Sequence, residues 1–498
     1  MPSFLDSKFM QARHLIIGFG STGLSIAKAL EHIGIAQINA IDSRDNPPHQ
    51  YEIKRLCLNI ALGDFSLEAA QLLLDECDYI WISPGVALAT HALQDTLNRL
   101  DITHIGGDIE LFGLLTNQLD NNNPRIFAIT GTNGKSTVTT LLGDMFKAAG
   151  FRTYVGGNLG EPALTLWLNW VLDKNTEQYL DKDSDRDIYK YTYQDSHQND
   201  NLKDIPIFVL ELSSFQLETT RNLNIEVGAI LNIEPDHLDR YPSYKDYQKT
   251  KFKLWEQAQK LISNQDDLIL EKKLRLQDRP AFAKFTLQHI KRAKNTWYLR
   301  DISIYYENKR FIDITKIPIS GKHNIANVMA ASAMGLAAGI YPEAMIRAIV
   351  NFKALPHRCA LVATVNGVRY YNDSKATNLP SSIAAIKGFD ENKWLIMGGI
   401  TKDQDFSILK KVLDKSIIKL LLIGEDISQI TQYIPDFIDT KYVKTLDAAV
   451  EFIYLNAQPL DVALFSPACA SFDQFANYNA RGAAFIKLVL KLKQNIKN

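Results

Sequence analysis

Cysteine is scarce and scattered. Four of 498 residues, Cys57, Cys77, Cys359 and Cys469, are spread along the chain without a CxxC pair, which excludes a disulfide framework or a cysteine-built zinc cluster and points to a reducing cytoplasm. Long apolar runs are missing too: Leu15 to Gly20 follows a mixed polar leader, and no stretch approaches the roughly 18 residues of a membrane helix. Charge of one sign is also lacking. With 55 Lys and Arg against 56 Asp and Glu, the basic footprint of a nucleic-acid partner is absent. The expectation is a cytoplasmic monomer that acts on small molecules, with no nucleic-acid or membrane partner.

Hydrophobic residues make up 46% and charged residues 22%, the balance of a globular protein, and the length suits about three domains with their own cores. Residues 14–45 read as strand, glycine turn, helix of period 3.6 and second strand ending at Asp42, a βαβ unit. DYIWISPG (78–85) carries a third strand into a turn at the ligand-binding edge of such a sheet. This first domain is expected to span 1–107.

A second domain, 108–354, centres on RIFAIT, GTNGKST and the amphipathic VTTLLGDMFKAAG. Its further strands, IPIFVLELSS (205–214) and EVGAILNI (226–233), are apolar enough for a sheet covered on both faces. Between them, 173–204 is polar and shows no clear period, so a surface insertion is expected there. The third domain, 355–498, follows the helical NIANVMAASAMGLAAGI and opens with a hairpin turning at Asn366-Gly367. Strands WLIMGG, KLLLIG and VALFSP then alternate with helices. The fold class is α/β in three domains: Rossmann-like, P-loop ATPase-like and Rossmann-like.

The loop TGTNGKST carries the strongest chemical signal. Gly131 and Gly134 let successive N–H groups and the next helix terminus face an anion, and Lys135 adds a movable positive charge. The usual pattern would need glycine at Ile129, so this is a shortened variant. ATP is the expected ligand, with Ser136, or secondarily Thr137, on a magnesium ion. A rival signal lies upstream: Gly18, Gly20 and Gly23, with Asp42 beyond, meet the spacing of a dinucleotide fingerprint. An NAD-dependent oxidoreductase is therefore one alternative and a non-catalytic nucleotide-binding protein another, although Arg44 and a whole ATP domain fit the oxidoreductase poorly.

GTNGKST does not stand alone. With ELSSFQLE (211–218), NIEPDHLDRYPSYKDYQKTK (232–251), GKHNIAN (321–327), LPHR (355–358), NDSKATN (372–378) and SPACASFDQF (466–475), the chain resembles the Mur ligase family over almost its whole length, and within it the D-glutamate-adding branch. The resemblance implies ATP-dependent amide-bond formation between UDP-N-acetylmuramoyl-L-alanine and D-glutamate through an acyl phosphate, in peptidoglycan precursor synthesis. It places Gly131, Thr132, Asn133, Gly134, Lys135, Ser136 and Thr137 on the phosphates, Asn324 and Asn327 on adenine, Arg358 on the phosphates and Asp373 on the ribose. Lys375 would add charge at the transferred phosphoryl, a role shared across a domain boundary. Two magnesium ions are implied, one on Ser136 and Glu211, the other on His237 and on Lys251 if carbamylated. Ser21, Thr22, Asp42, Arg44, Ser83 and Asn158 would hold the UDP substrate. Thr377, Lys402, Ser471, Phe472 and Tyr478 would hold D-glutamate, although Ile400-Thr401 departs from the family's usual pair before Lys402.

Overall fold

Short apolar runs flanked by glycine form parallel strands here, because only a sheet with both faces covered accommodates them. The computed structural model describes residues 6–87, 91–117, 123–180, 205–237, 240–277, 279–291, 293–401 and 404–495. Three sheets follow one another along the chain.

The first comprises β1 (His14–Ile17), β2 (Ile38–Asp42), β3 (Asn59–Leu62), β4 (Tyr79–Ile82) and β5 (Ile105–Gly106), all parallel in the order β3-β2-β1-β4-β5. The expected βαβ unit is present, with the Ser21–His32 helix as its crossover. Strand β3 was not foreseen, because its edge position leaves Asn59 exposed and Ile60 only half-buried. The direction of winding reverses between β1 and β4, so the turns after them face one crevice. There the Ser83 hydroxyl donates to Gly18 O at 2.6 Å.

At the other end of β1, His14 is fully buried. Its Nδ1 receives the Trp81 indole N–H at 3.0 Å and its Nε2 lies 2.9 Å from Phe9 O, an arrangement that needs a neutral ring. Burial lowers its pKa from 6.5 to about 4. Because the folded pKa lies below the unfolded one, the contribution to stability is complete above pH 6.5 and fades as pH falls toward 4, by roughly 3 kcal/mol at full protonation. In urea titrations the N-terminal domain should lose stability across this window, and His14→Phe, which cannot titrate, should flatten that part of the profile. An unchanged profile would refute the assignment.

The second sheet contains β6 (Arg125–Thr130), β7 (Thr153–Gly157), β8 (Ile207–Glu211), β9 (Ile225–Ile230), β10 (Ala258–Asn264), β11 (Ala283–Thr286), β12 (Thr296–Arg300), β13 (Ser303–Tyr306) and β14 (Lys309–Asp313). Its order is β14-β13-β12-β11-β10-β9-β6-β8-β7, with an antiparallel end formed by β12, β13 and β14. Strand β6 lies between β8 and β9, so the phosphate loop after it shares an edge with the ends of both. The run expected to be strand through 214 stops at Glu211. Ser213 ends it by capping a helix: its Oγ accepts the Gln216 N–H, and the Gln216 amide oxygen accepts the Ser213 N–H.

The insertion expected at 173–204 needs correction. The helix that starts at Ala163 runs on to Leu180, so 173–180 is helical. Buried Ala163, Leu164, Trp167 and Trp170 anchor its first turns, and extending an existing helix requires no new nucleation. Residues 181–204 lie outside the described residues.

The third sheet orders β15 (Ala360–Val365), β16 (Val368–Asn372), β17 (Lys393–Gly398), β18 (Ile417–Ile423), β19 (Thr440–Lys444) and β20 (Val462–Phe465) as β15-β16-β20-β17-β18-β19. The hairpin at Asn366-Gly367 is present: φ is 49° and 79° at these residues, as a type I′ turn requires, and Val365 pairs with Val368.

Candidate active site

The phosphate loop joins β6 to the Lys135–Ala148 helix, whose N-cap is Gly134. Glycine suits that position for two reasons. Its φ is 83°, and an added Cβ would meet Asn327 Oδ1 at 2.3 Å. Lys135 Nζ donates to Gly131 O at 2.8 Å and Thr132 O at 2.9 Å. Asn232, just past β9, holds the loop by accepting the Asn133 N–H at 2.8 Å and donating to Asn133 O at 3.1 Å.

Ladder pairing sets Glu211 opposite Ile129, which brings its carboxylate to the loop. There it accepts the Ser136 hydroxyl on Oε2 and the Asn158 amide on Oε1 at 2.7 Å. A carboxylate and a hydroxyl are hard oxygen donors of the kind magnesium prefers. Among the described residues, no group of three or more His, Cys, Asp or Glu is placed to hold a metal ion. Two such donors would leave the remaining positions of a magnesium ion to waters and phosphate oxygens.

Lys251, on the Tyr244–Glu256 helix, is only 2% exposed. Its Nζ donates to Gly131 O at 2.9 Å, the same carbonyl that Lys135 uses. Burial first, and then the Lys135 charge, push its pKa well below the usual lysine value. Lys135 is lowered as well, mainly by burial, with Arg358 and Lys375 adding to the effect. His237 has a left-handed backbone, φ 55°, and its ring lies 4.7 Å from that of Phe215. It does not cap the following helix; Ser243 does, by accepting the Asp246 N–H.

The third domain completes the cleft. Arg358 Nη2 donates to Ser136 Oγ at 2.6 Å, Ser381 to Asn133 Oδ1 at 2.6 Å, and Asn378 to Asp236 Oδ2 at 3.0 Å. Lys375 Nζ sits 3.9 Å from the centre of the Tyr478 ring. Asp373 accepts the Ser466 hydroxyl at 2.7 Å and the Cys359 N–H at 3.0 Å, and burial raises its pKa to about 7.

One cleft of about 630 Å³ gathers most of the expected residues. It is lined by Thr132, Asn133, Gly134, Lys135, Ser136 and Thr137, and by Asn158, Glu211, His237 and Lys251. Asn324, Asn327, Arg358, Asp373, Lys375, Thr377 and Tyr478 complete the set. Asp236, Asn232, Asn378 and Ser381 also line it. The first three lie inside the motifs NIEPDHLDRYPSYKDYQKTK and NDSKATN, whose sequence gives them no signal of their own.

Other expected residues fall elsewhere. Ser21, Thr22 and Ser83 belong to the first domain's crevice. Asp42 is buried there, and four hydrogen bonds reach its carboxylate: Phe19 N–H at 2.6 Å, and Arg44 N, Nε and Nη2 at 3.0, 2.8 and 2.7 Å. These fill the roughly four lone-pair positions of a carboxylate. In this conformation Asp42 and Arg44 are thus committed to each other, and Asp42 has no lone pair left for a ribose. Ser471 is buried and Phe472 is 68% exposed, both outside the cleft lining. Lys402 lies outside the described residues. The path just before it is held by Ile400, which pairs with Ala470 in both directions at 3.0 and 2.9 Å.

Comparisons with known proteins agree with this architecture. Residues 12–106 match the model described as Mur ligase MurD-like, N-terminal domain; 129–335 match the Mur ligase middle domain; and 357–469 match the Mur ligase, glutamate ligase domain. The chain is 37% identical to the UDP-N-acetylmuramoylalanine--D-glutamate ligase of Pseudomonas fluorescens over 96% of its length and 98% of that protein's. It is also 37% identical to the enzyme of that name from Acinetobacter baylyi, over 95% and 97% of the two chains. In fold it is similar to a UDP-N-acetylmuramate-alanine ligase from Thermotoga maritima, with a TM-score of 0.54 at 15% identity over 97% and 100% of the chains. A pseudomurein peptide ligase from Methanothermus fervidus gives 0.53 at 16% over 98% and 100%. With all three of its α/β domains matched and 96% of its length shared with such a relative, this chain belongs to the Mur ligase family.

Proposed function

We propose that this chain is an ATP-dependent ligase that joins D-glutamate to UDP-N-acetylmuramoyl-L-alanine, releasing ADP and phosphate in peptidoglycan precursor synthesis. The observation that carries the reading is the Arg358 to Ser136 contact beside Glu211, which joins a phosphate loop to the domain matched as glutamate ligase. A carboxylate is a poor electrophile, so the L-alanine carboxyl first takes the γ-phosphoryl group and becomes an acyl phosphate. The amine of D-glutamate then displaces phosphate. Lys135, Arg358 and Lys375 surround the transferred group with positive charge, the arrangement that favours crowded anionic oxygens in the transition state.

Ser136 and Glu211 would hold one magnesium ion and His237 with a carbamylated Lys251 a second, supplying charge neutralisation on the phosphates. Burial and the neighbouring Lys135 charge push the Lys251 pKa down, which favours carbamylation, since only a neutral amine adds to carbon dioxide. Asn324 and Asn327 are assigned to adenine, Asp373 to the ribose, and Thr377 and Tyr478, with Lys402, Ser471 and Phe472, to D-glutamate. Ser21, Thr22, Ser83 and Asn158 are assigned to the UDP substrate, with Asp42 and Arg44 shaping its crevice. The reading includes a monomeric, cytoplasmic enzyme divided at about residues 107 and 355.

The test is reconstitution. Phosphate should appear only when UDP-N-acetylmuramoyl-L-alanine, D-glutamate, ATP and magnesium are all present, and L-glutamate, L-alanine or L-lysine in place of D-glutamate should lower kcat/KM by roughly 100-fold. Turnover without the amino acid, or equal use of L-glutamate, would overturn the reading.

A further inference from the structure

Arg240 spans two domains. Its Nη1 donates to Pro84 O at 2.6 Å, and its Nη2 to Val86 O at 3.1 Å and Glu218 Oε2 at 3.0 Å. The guanidinium carbon lies 3.9 Å from the centre of the Phe215 ring. The two carbonyls belong to the turn after β4 in the first domain. The carboxylate and the ring belong to the short Ser214–Glu218 helix of the second. A planar, permanently charged fork suits this set of partners better than a point-like ammonium.

Contacts continue from both ends of this side chain. Toward the first domain, the turn is packed onto the glycine turn after β1: Ser83 donates to Gly18 O at 2.6 Å, and a Cβ on Gly18 would meet Val86 Cγ2 at 2.8 Å. Toward the second, Phe215 packs on His237, and the Arg240 N–H donates to His237 O at 3.0 Å. The crevice turn and the wall of the phosphoryl-transfer cleft are therefore fixed to the same residue.

We infer that Arg240 is a positioning residue that sets the register between the crevice holding the diphosphate-bearing acceptor and the cleft where that acceptor's carboxylate meets ATP. The inference rests on the proposed ligase reading, in which the two reactants are bound by different domains. Such a reaction depends on their relative placement, and an error of about 1 Å can cost on the order of 100-fold in rate. Interfaces between domains permit relative motion unless something ties them, and Arg240 is such a tie.

The test uses Arg240→Met, Arg240→Lys and Glu218→Gln in the full chain. For Arg240→Met, kcat should fall by about 100-fold while KM for ATP stays within about twofold. Arg240→Lys, which keeps the charge without the fork, should fall by about 10-fold, and Glu218→Gln, which keeps both carbonyl bonds, should fall least. ATP bound per chain should equal the wild-type value in every variant. An unchanged kcat in folded Arg240→Met, or a loss matched by lost ATP binding, would overturn the inference. Hydrogen exchange gives a readout without turnover: the amides of 83 and 85–87 should exchange faster in Arg240→Met while those of 131–136 do not. If wild type itself forms no amide, the ligase reading fails, and the exchange result still decides whether Arg240 holds the turn; unchanged exchange there would refute that role.

Discussion

Lys135→Ala should lower kcat by about 10²–10³-fold or more while the dissociation constant for the UDP-linked acceptor stays within about twofold. Lys135 opens the helix behind the phosphate loop, and its Nζ rests on Gly131 O and Thr132 O. Arg358 and Lys375 line the same cleft from another domain, and under the proposed reading these three cations would face the transferred phosphoryl group. The acceptor is assigned mainly to the first domain, where Lys135 makes no contact. Calorimetric titration with the acceptor, beside single-turnover measurement of ADP release, separates the two effects. A parallel loss of both would refute the division of labour between domains.

Lys251→Ala should cost roughly 100-fold in kcat and recover part of it when formate or acetate is added. Lys251 and Lys135 donate to one carbonyl oxygen, Gly131 O, at 2.9 and 2.8 Å. Two ammonium groups so close, one of them almost fully buried, disfavour each other's protonation. The amine of Lys251 is correspondingly easier to deprotonate, and its neutral fraction rises as pH climbs through the lowered pKa. Carbamylation would convert the site from cationic to anionic, which is why a small carboxylate can stand in for it. Removing bicarbonate from the buffer should slow wild type and leave Lys251→Ala unaffected. No recovery at any carboxylate concentration, together with indifference to bicarbonate, would leave Lys251 as a buried lysine and nothing more.

The phosphate loop was legible in the residue order because its parts are local, whereas Asn324, Asn327, Arg358, Asp373, Lys375 and Lys251 were marked only by the family resemblance. A glycine-rich turn between an apolar strand and an amphipathic helix is a phosphate loop for reasons confined to a few residues. Glu211 ends an apolar run for the same kind of reason, and Asn366-Gly367 turns a hairpin because both residues tolerate positive φ. What went unread lacked a local signature. β3 is a partly exposed edge strand, and the helix past residue 173 continues through polar residues on the strength of its buried start.

The sequence by itself determined the sheet-forming runs, the turns and the chemical character of the motifs, because backbone sterics and hydrophobic period act over short windows. Only the tertiary structure decided that Arg358 reaches Ser136 from 222 residues away, that Lys251 is buried beside Lys135, that Asp42 closes on Arg44, and that Arg240 bonds the turn after β4 to Glu218. Such facts depend on how sheets and domains stack, and stacking brings together groups whose separation along the chain carries no trace of the contact.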